Sequence, residues 1–473
     1  MFGGRAEDEK PKEVIPLPLA KAAADQLVIP ISLLRPSAWP EFAKTAPARL
    51  TRAAAMVQFS AKPGQCLCLW DGEGRLERVV YGLGETGAMS VRGLPGRLPA
   101  GEYRIVEAPA DFDHDRGALA WALGTYRFDR YKREPGDPPP RLASPTGDDG
   151  AWSAVAEACA MARDMVNTPA NDMGPSDIET IAVGLAKIHG AALSVTRGAA
   201  LIKGYPAVHA VGRAATPMRA PRMIEMTWGA ANHPLIAVIG KGVVFDTGGL
   251  DLKHSAGMRW MKKDMGGAAH ALALAQMIMA SALPVRLCLL APVVENAVAA
   301  DAMRPGDILA SRKGLSIEVG NTDAEGRLIL ADALTRAAEL EPVLTIDLAT
   351  LTGAARVALG PDVVPFYTDD DGLAAALAAA SRAVEDPLWR MPLWAGYDPA
   401  LDSDVADVKN DPDAWSQAGS VTAALFLKRF APTGPWAHFD IFAWNARGRP
   451  GWPQGAEAQA IRAIFAMLEA RYR

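Results

Sequence analysis

From residue 151 onward, the chain alternates between short apolar runs and longer helix-like segments, and this alternation limits the fold more than any other feature of the sequence. Strands are predicted for the apolar runs HPLIAVIGKGVVFD, VRLCLLAPV and VLTIDLAT. Helices are predicted in segments such as DMGGAAHALALAQMIMASA and RLILADALTRAAEL. Because parallel strands need a crossover connection that is usually a helix, we expect an α/β domain with a mostly parallel central sheet flanked by helices.

A smaller α/β domain is predicted for residues 1–133. Its strand-like runs are LVIPISLL, QCLCLW, RVVYGLG and GEYRIVEA, and one helical stretch, DHDRGALAWALGTYRFDRY, follows them. Residues 134–150 are dense in Pro, Gly and Asp, which interrupt long elements, so this segment is predicted to be a linker. The larger domain is then expected over residues 151–473.

The charge balance argues against a general nucleic-acid-binding protein. The 473 residues carry a formal net charge of −5, and phosphate neutralisation needs clustered Lys and Arg. Half of the residues are apolar, which is enough for sizeable cores. Nucleic acid is therefore not an expected partner.

The chain shows no feature of a secreted or membrane-spanning protein. The N-terminal segment MFGGRAEDEKPKEV lacks the apolar region of a secretory signal, and the apolar stretch ALALAQMIMASALPV is too short to cross a bilayer. The four cysteines have neither CxxC nor zinc-finger spacing, which suits a reducing compartment. We expect a cytoplasmic protein with no membrane partner.

Four carboxylates lie where predicted strands give way to predicted helices: Asp246, Asp264, Asp323 and Glu325. Open α/β sheets bind ligands beyond the C-terminal ends of their strands, and hard divalent cations prefer oxygen ligands. Taken singly, each carboxylate has another interpretation. Asp264 could cap a helix, Asp246 could be a turn residue, and the DAE triplet could be solvated.

Three segments closely resemble the signature segments of the leucyl aminopeptidase (cytosol aminopeptidase) family: GKGVVFDTGGLDLK at 240–253, MKKDMGGAAH at 261–270 and NTDAEGRL at 321–328. The flanking segments VNTPAND, DLATLTGA and QAGSVTAALFLKRF agree with this family. The resemblance runs from about residue 150 to the C-terminus. It implies a metal-dependent aminopeptidase that removes N-terminal residues, preferably Leu or similar apolar ones, from peptides, in a hexamer assembled through the C-terminal domain.

The resemblance also implies a site with two divalent ions, for which Mn²⁺, Zn²⁺ and Mg²⁺ are all suitable. One ion would be held by Lys241, Asp246, Asp264 and Glu325. The other would be held by Asp246, Asp323 and Glu325, with the main-chain carbonyl of Asp323, so that Asp246 and Glu325 bridge the two ions. Lys241 can ligate only as a neutral amine, so the ion must displace its proton.

Further roles follow from the same resemblance. Lys253 and Arg327 would be catalytic: Lys253 stabilises the negative charge on the attacked carbonyl, and Arg327 holds a bicarbonate that acts as general base. The attacking nucleophile would be a water that bridges the two ions. Met261, Thr350 and Leu351 would line the pocket for the first side chain, and a Met wall suits Leu-like groups.

Other features leave alternatives open. His254 follows Lys253 where many relatives have proline or a small residue, and it could shift the dependence of activity on pH. His270 stands near Asp264, but no HExxH motif accompanies it. A DNA-binding or assembly role for the whole protein, and a nucleotide-like ligand for the N-terminal domain, are two further hypotheses. The sequence has neither a P-loop nor a Rossmann fingerprint to support the second.

Overall fold

The computed structural model describes residues 28–85, 87–134, 136–143, 150–412 and 417–473. The chain forms two compact units. The first comprises the residues up to Glu157 together with Arg449–Pro453, and the second comprises Ala158–Gly448 and Gln454–Arg473. The expected fold class, a smaller and a larger α/β domain, is confirmed.

Within the described residues, the first unit has one five-stranded sheet with the order β2-β3-β1-β4-β5. These strands are β1 (Val28–Leu34), β2 (Cys66–Trp70), β3 (Leu76–Gly82), β4 (Glu102–Glu107) and β5 (Arg141–Leu142). The helices of this unit are α1 (Trp39–Thr45), α2 (Ala48–Met56) and α3 (His114–Thr125). The alternating Leu67 and Leu69 of β2 are buried in a cluster with Leu50 and Ala54 of α2, which explains the strand-like pattern of QCLCLW.

The segment expected to be a linker is partly described. Strand β5 lies inside it and pairs in parallel with β4. Residues 135 and 144–149 of this segment, and the N-terminal segment MFGGRAEDEKPKEV, lie outside the described residues. The division at residues 133 and 150 stays a prediction.

The second unit contains the longer alternating series of elements, and helix α4 enters it from the first unit. Its helices are α4 (Gly150–Asn167), α5 (Pro175–His189), α6 (Gly198–Gly204), α7 (Pro206–Gly212), α8 (Ser255–Met258), α9 (Gly266–Ala280), α10 (Glu325–Ala338), α11 (Gly353–Leu359), α12 (Asp371–Val384), α13 (Gly419–Lys428) and α14 (Ile461–Tyr472). Its strands are β6 (Ala192–Thr196), β7 (Arg222–Trp228), β8 (Leu235–Gly240), β9 (Gly242–Asp246), β10 (Arg286–Asn296), β11 (Ile308–Ala310), β12 (Ser316–Glu318), β13 (Leu344–Ala349), β14 (Val364–Tyr367), β15 (Leu388–Met391), β16 (Val408–Lys409), β17 (Trp436–Asp440), β18 (Trp444–Asn445) and β19 (Gly455–Ala456).

The central sheet of this unit runs in the order β15-β14-β17-β13-β8-β10-β7-β6, and β9 also pairs with β10. The middle strands β17, β13, β8 and β10 are mutually parallel, as predicted. Strand β7 is antiparallel to both β10 and β6, and β14 is antiparallel to β17, so the sheet is mixed towards its edges.

Helices α9 and α10 pack on the middle strands and explain why those strands are apolar throughout. Ala237 and Ile239 of β8 share a core cluster with Leu330 and Leu334 of α10. Helix α9 packs against β8, β10 and β13. No helix in the described part of the chain is both long and apolar enough to span a membrane.

Candidate active site

The side chains singled out in the sequence gather where the parallel middle strands end. Lys241 follows the last residue of β8, Asp246 is the last residue of β9, and Thr350 follows the last residue of β13. Asp264 lies in a 3-10 turn, Met261–Met265, just before α9, and Glu325 is the first residue of α10. The C-terminal ends of parallel strands meet at one edge of a sheet, which is the ligand-binding edge of open α/β folds.

Two glycines allow Lys241 to enter this site. A Cβ atom on Gly326 would lie 2.6 Å from Nζ and 2.6 Å from Cε of Lys241. A Cβ on Gly267 would lie 2.1 Å from the carbonyl oxygen of Leu348 and 2.6 Å from the backbone nitrogen of Lys241. The first turns of α9 and α10 therefore fit against Lys241 only because these two positions have no side chain.

Lys241 forms the centre of a buried ion-pair network. Its Nζ lies 2.9 Å from Oδ2 of Asp264 and 2.9 Å from Oε1 of Glu325, and it donates to the carbonyl oxygen of Thr350 at 3.3 Å. Burial alone would lower the pKa of Lys241, but Asp264, Glu325 and Asp246 outweigh burial and raise it. The ammonium thus supplies positive charge to a cluster of carboxylates.

Three carboxylates, those of Asp246, Asp323 and Glu325, lie close enough to hold one ion, since one oxygen atom from each lies within 4.8 Å of the other two. Burial, assisted by the negative charge of Asp246, raises the pKa of Asp323 to about 7 and that of Glu325 to about 8. Lys253 offsets part of this repulsion. Its Nζ lies 2.9 Å from Oδ2 of Asp246 and also forms an ion pair with Asp323.

These residues fit a divalent cation. Glu325 is fully buried, and within the described residues its Oε2 has no hydrogen-bond donor. Buried polar atoms almost always have a partner, and an isolated buried carboxylate is costly. A cation bound between carboxylate oxygens would provide the missing partner, and the oxygen-rich set of ligands suits hard or borderline ions.

Asn296 supports this cluster and was not recognised in the sequence. Its Nδ2 donates to Oδ1 of Asp246 at 2.8 Å and to the carbonyl oxygen of Thr322 at 3.1 Å. The backbone N–H of Gly248 donates to the same Asp246 oxygen at 2.8 Å. Asn296 is the last residue of β10, so its place at the ligand-binding edge was the available signal.

Arg327 lies in the wall of the site with part of its guanidinium unused. Its Nη1 donates to the carbonyl oxygen of Asn410 at 2.6 Å, whereas its Nε is buried and has no partner in the described part of the chain. Burial lowers the pKa of Arg327. Asn410, also not recognised in the sequence, holds the turn before α10 by donating to Asn321 at 2.8 Å and to Ala324 at 3.2 Å.

A cavity of about 700 Å³ opens beside the cluster. The predicted site residues that line it are Lys241, Asp246, Lys253, Met261, Asp264, Asp323, Arg327, Thr350 and Leu351. Glu325 lies beneath this lining, in contact with Lys241. The structure therefore brings all the predicted site residues together, while their individual roles stay predictions.

Other side chains line the same cavity without having been predicted. They include Lys263, Arg356, Asp440 and Phe442. Asp440 accepts hydrogen bonds from the backbone N–H groups of Leu351 at 2.9 Å and Thr352 at 3.1 Å. It also accepts one from the Thr352 hydroxyl at 2.7 Å, and so fixes the loop after β13.

The two histidines of interest differ in position. His254 is exposed and lines the cavity. His270 is fully buried away from it: its Nε2 accepts from the backbone N–H of Gln459 at 3.0 Å, so its Nδ1 carries the proton donated to Gly266 at 2.6 Å. His270 therefore has a structural role, because both of its ring nitrogens form hydrogen bonds to the backbone.

A lysine–carboxylate cluster that suits a metal ion, beside a cavity at the C-terminal edge of an α/β sheet, is the arrangement expected of a metal-dependent hydrolase. The model of the cytosol aminopeptidase family catalytic domain matches residues 160–465, and the model of the M17 aminopeptidase N-terminal domain matches residues 29–145. The chain belongs to the cytosol aminopeptidase (M17) family, whose members are peptide hydrolases.

Individual relatives agree. The probable cytosol aminopeptidase of Syntrophotalea carbinolica is 38% identical over 450 residues, which cover 87% of this chain and 89% of the relative. The crystal structure of the cytosol aminopeptidase from Coxiella burnetii has a TM-score of 0.90 and 42% identity, and it covers 95% of this chain and 99% of its own. The bottromycin maturation enzyme BotP in complex with Mn has a TM-score of 0.84 and 32% identity over 95% of this chain and 100% of its own.

Proposed function

We propose that this chain hydrolyses the peptide bond after a free N-terminal residue and uses two divalent metal ions per subunit. The observation that carries the proposal is the group of Asp246, Asp323 and Glu325, in which a fully buried oxygen of Glu325 has no donor among the residues that the structure describes. Such a group suits a cation and has no evident use in stabilising the fold.

Lys241, Asp246, Asp264 and Glu325 would hold one ion. Asp246 and Glu325, together with Asp323, would hold the other. In the present arrangement the Lys241 ammonium occupies the position of a cationic partner for Asp264 and Glu325, and it would bind an ion only after losing its proton. Mn²⁺, Zn²⁺ and Mg²⁺ suit this donor set, and the Mn in the BotP structure supports Mn²⁺.

When bound, the ions would lower the pKa of a water and polarise the substrate carbonyl. Lys253, whose Nζ already faces Asp246 and Asp323, would donate to the carbonyl oxygen and stabilise the negative charge that develops there. The unused Nε of Arg327 points to the binding of a small anion. We propose bicarbonate, which would act as general base and general acid when held there.

The first side chain of the substrate would lie against Met261, Thr350 and Leu351. The flexible Met261 thioether suits Leu-like side chains. Thr350 is fixed because its hydroxyl donates to Oδ1 of Asp264 at 2.8 Å. Family membership and the name cytosol aminopeptidase of the curated relatives support a cytoplasmic enzyme that forms hexamers through the C-terminal domain.

The test is hydrolysis of leucine p-nitroanilide by protein that has been stripped with a chelator, before and after addition of Mn²⁺ or Zn²⁺. We expect metal to restore cleavage of this substrate but not of its N-acetylated form. The Glu325→Ala variant should remain inactive, whereas Glu469→Ala, a change at a part-exposed side chain near the C-terminal end of α14, should behave as wild type. Elemental analysis should find two ions per wild-type subunit. A folded, metal-loaded protein without cleavage would refute the proposal.

A further inference from the structure

The cavity wall around Phe442 carries two positive charges. Nζ of Lys263 lies 5.3 Å from the centroid of the Phe442 ring, and Cζ of Arg356 lies 4.5 Å from it. Lys263 comes from the turn before α9 and Arg356 from α11, so two separate elements bring cations to the same ring. All three side chains line the cavity.

Lys263 is unusual because it is buried without a carboxylate partner. It is only 6% exposed, yet among the described residues no hydrogen-bond acceptor or ion-pair partner contacts its Nζ. Its neighbour Lys262 shows the ordinary arrangement, donating to the carbonyl oxygen of Asn167 at 2.5 Å beside the Trp444 ring. Buried lysines are normally paired, so the free ammonium of Lys263 is available to a ligand.

The carboxylates nearby neutralise this wall only in part. Asp264 and Asp440 both act electrostatically on Lys263, and both line the cavity. The three hydrogen bonds that Asp440 accepts from Leu351 and Thr352 hold its carboxylate in place. Asp264 faces Lys241 at 2.9 Å and Thr350 at 2.8 Å. Arg356 has no ion pair within the described residues either. Because Asp264 is paired with Lys241, Asp440 is the one nearby carboxylate among the described residues left to balance Lys263 and Arg356, so the wall keeps a net positive charge.

This wall adjoins the proposed pocket for the first side chain. Met261 lies two residues before Lys263 in the same turn, and Leu351 leads into the helix that carries Arg356. The Asp440 hydrogen bonds fix the loop between Thr350 and that helix. The two cations and Phe442 therefore line the same cavity as the proposed pocket residues Met261 and Leu351.

We propose that Lys263 and Arg356 bind the side-chain carboxylate of an N-terminal Glu or Asp, so that the enzyme removes acidic as well as apolar residues. This inference rests on the proposed aminopeptidase function. The methylene groups of Glu would pack on the Phe442 ring while its carboxylate accepts charge-assisted hydrogen bonds from the two cations. Glu, with the longer side chain, should be a better substrate than Asp.

The experiment compares kcat/KM for the p-nitroanilides of Glu, Gln and Leu. It uses metal-loaded wild type, Lys263→Met, Arg356→Gln, the double variant, and the control Arg382→Gln, which removes an exposed arginine from α12. Each of the two pocket variants should lower the Glu-to-Leu ratio of kcat/KM by about tenfold, the usual effect of losing a hydrogen bond to a charged group, and the double variant should lower it further. The Gln-to-Leu ratio and the control should not change.

A second measurement does not depend on turnover. In calorimetric titrations, free glutamate should bind to the wild type with higher affinity than to Arg356→Gln. Leucine should bind to both proteins with equal affinity. A third measurement compares kcat/KM for Leu-Ala with kcat/KM for Leu-Ala amide, which lacks the C-terminal carboxylate. The difference between the two values reports any contact with that carboxylate, and the variants should not alter it.

The results distinguish failure of the acidic subsite from failure of the proposed aminopeptidase function. If Leu is cleaved and the Glu-to-Leu ratio is the same in all variants, the acidic subsite is refuted and the aminopeptidase function stands. If the variants change only the difference between Leu-Ala and its amide, the cations bind the peptide C-terminus and the inference is also refuted. If Leu itself is not cleaved, the proposed function fails and this inference fails with it.

Discussion

Two buried carboxylates at helix N-termini, Glu325 and Asp386, show opposite arrangements. Asp386 accepts from the backbone N–H groups of Ala460 at 3.2 Å, Arg462 at 3.1 Å and Ala463 at 3.1 Å, at the start of α14. Glu325 begins α10, but its Oε2 takes no donor from the described residues, and burial together with Asp246 raises its pKa to about 8. Asp386 has the bonding of a residue that stabilises the fold, whereas Glu325 has the bonding of one kept for a ligand.

The largest effect is expected for Glu325→Gln. We expect kcat/KM for leucine p-nitroanilide to fall by about 1000-fold or more, because the change removes a carboxylate proposed to hold both ions and with it several kcal/mol of transition-state stabilisation by the metal. The melting temperature of the metal-free protein should not fall, since no donor loses a partner on the Oε2 side. Mn²⁺ should raise the melting temperature of wild type but not of the variant. A large loss of metal-free stability would show that Glu325 is structural.

The reverse result is expected for Asp386→Ala. It leaves three backbone N–H groups without this acceptor and removes the carboxylate that lies 3.5 Å from the buried Arg462 guanidinium. The free energy of unfolding should fall by about 3 kcal/mol in urea titrations, whereas metal content should stay the same. The surface change Asp371→Ala, at a side chain 89% exposed, should cost about 1 kcal/mol or less.

Two arginines extend the comparison. Arg327→Met should lower kcat by about 100-fold with unchanged metal content, because it removes the group proposed to hold the general base. Arg462 donates to the carbonyl oxygens of Val384 at 2.7 Å and Glu385 at 3.0 Å. Arg462→Met should therefore lower the melting temperature and leave kcat unchanged. Equal losses of kcat in both variants would contradict the distinction.

The smallest effect is expected for Asn296→Ala. This change removes the amide that orients Asp246, and neighbours of metal ligands typically contribute 10- to 100-fold in affinity. We expect the Mn²⁺ affinity, measured by competition with a chelator, to weaken by about tenfold. The nearby Asp251→Asn, which alters a loop contact with Thr322 rather than Asp246, should change it less.

The alternating pattern was enough to predict the fold class, because a parallel sheet buried on both faces needs apolar strands and crossover helices. It could not predict that β7 pairs antiparallel with β10 and β6, because the apolar pattern of a strand does not depend on the direction in which the strand runs. The helix predicted over DHDRGALAWALGTYRFDRY is also longer than helix α3, which ends at Thr125. Strand β5 was missed because two residues carry no periodicity.

In the candidate site too, some residues were predictable from the sequence and others were not. Residues within quoted motifs, such as Asp246 and Glu325, were predicted from the sequence and lie together. Asn296 contacts Asp246 from 50 residues away along the chain, and Asn410 contacts Arg327 from 83 residues away. No local sequence pattern marks such partners. Lys263 lies inside a recognised motif, yet only the folded chain shows that no acceptor among the described residues contacts its Nζ.

The contact between Gly326 and Lys241 has a consequence for the redesign of this centre. Since the helix backbone touches the lysine side chain, the lysine end of the site is set by main-chain packing and tolerates no bulkier neighbour. Asp323, whose side chain is 33% exposed, lies at the more open end. Attempts to change which ion the protein prefers should therefore begin at Asp323 and leave the backbone around Lys241 intact.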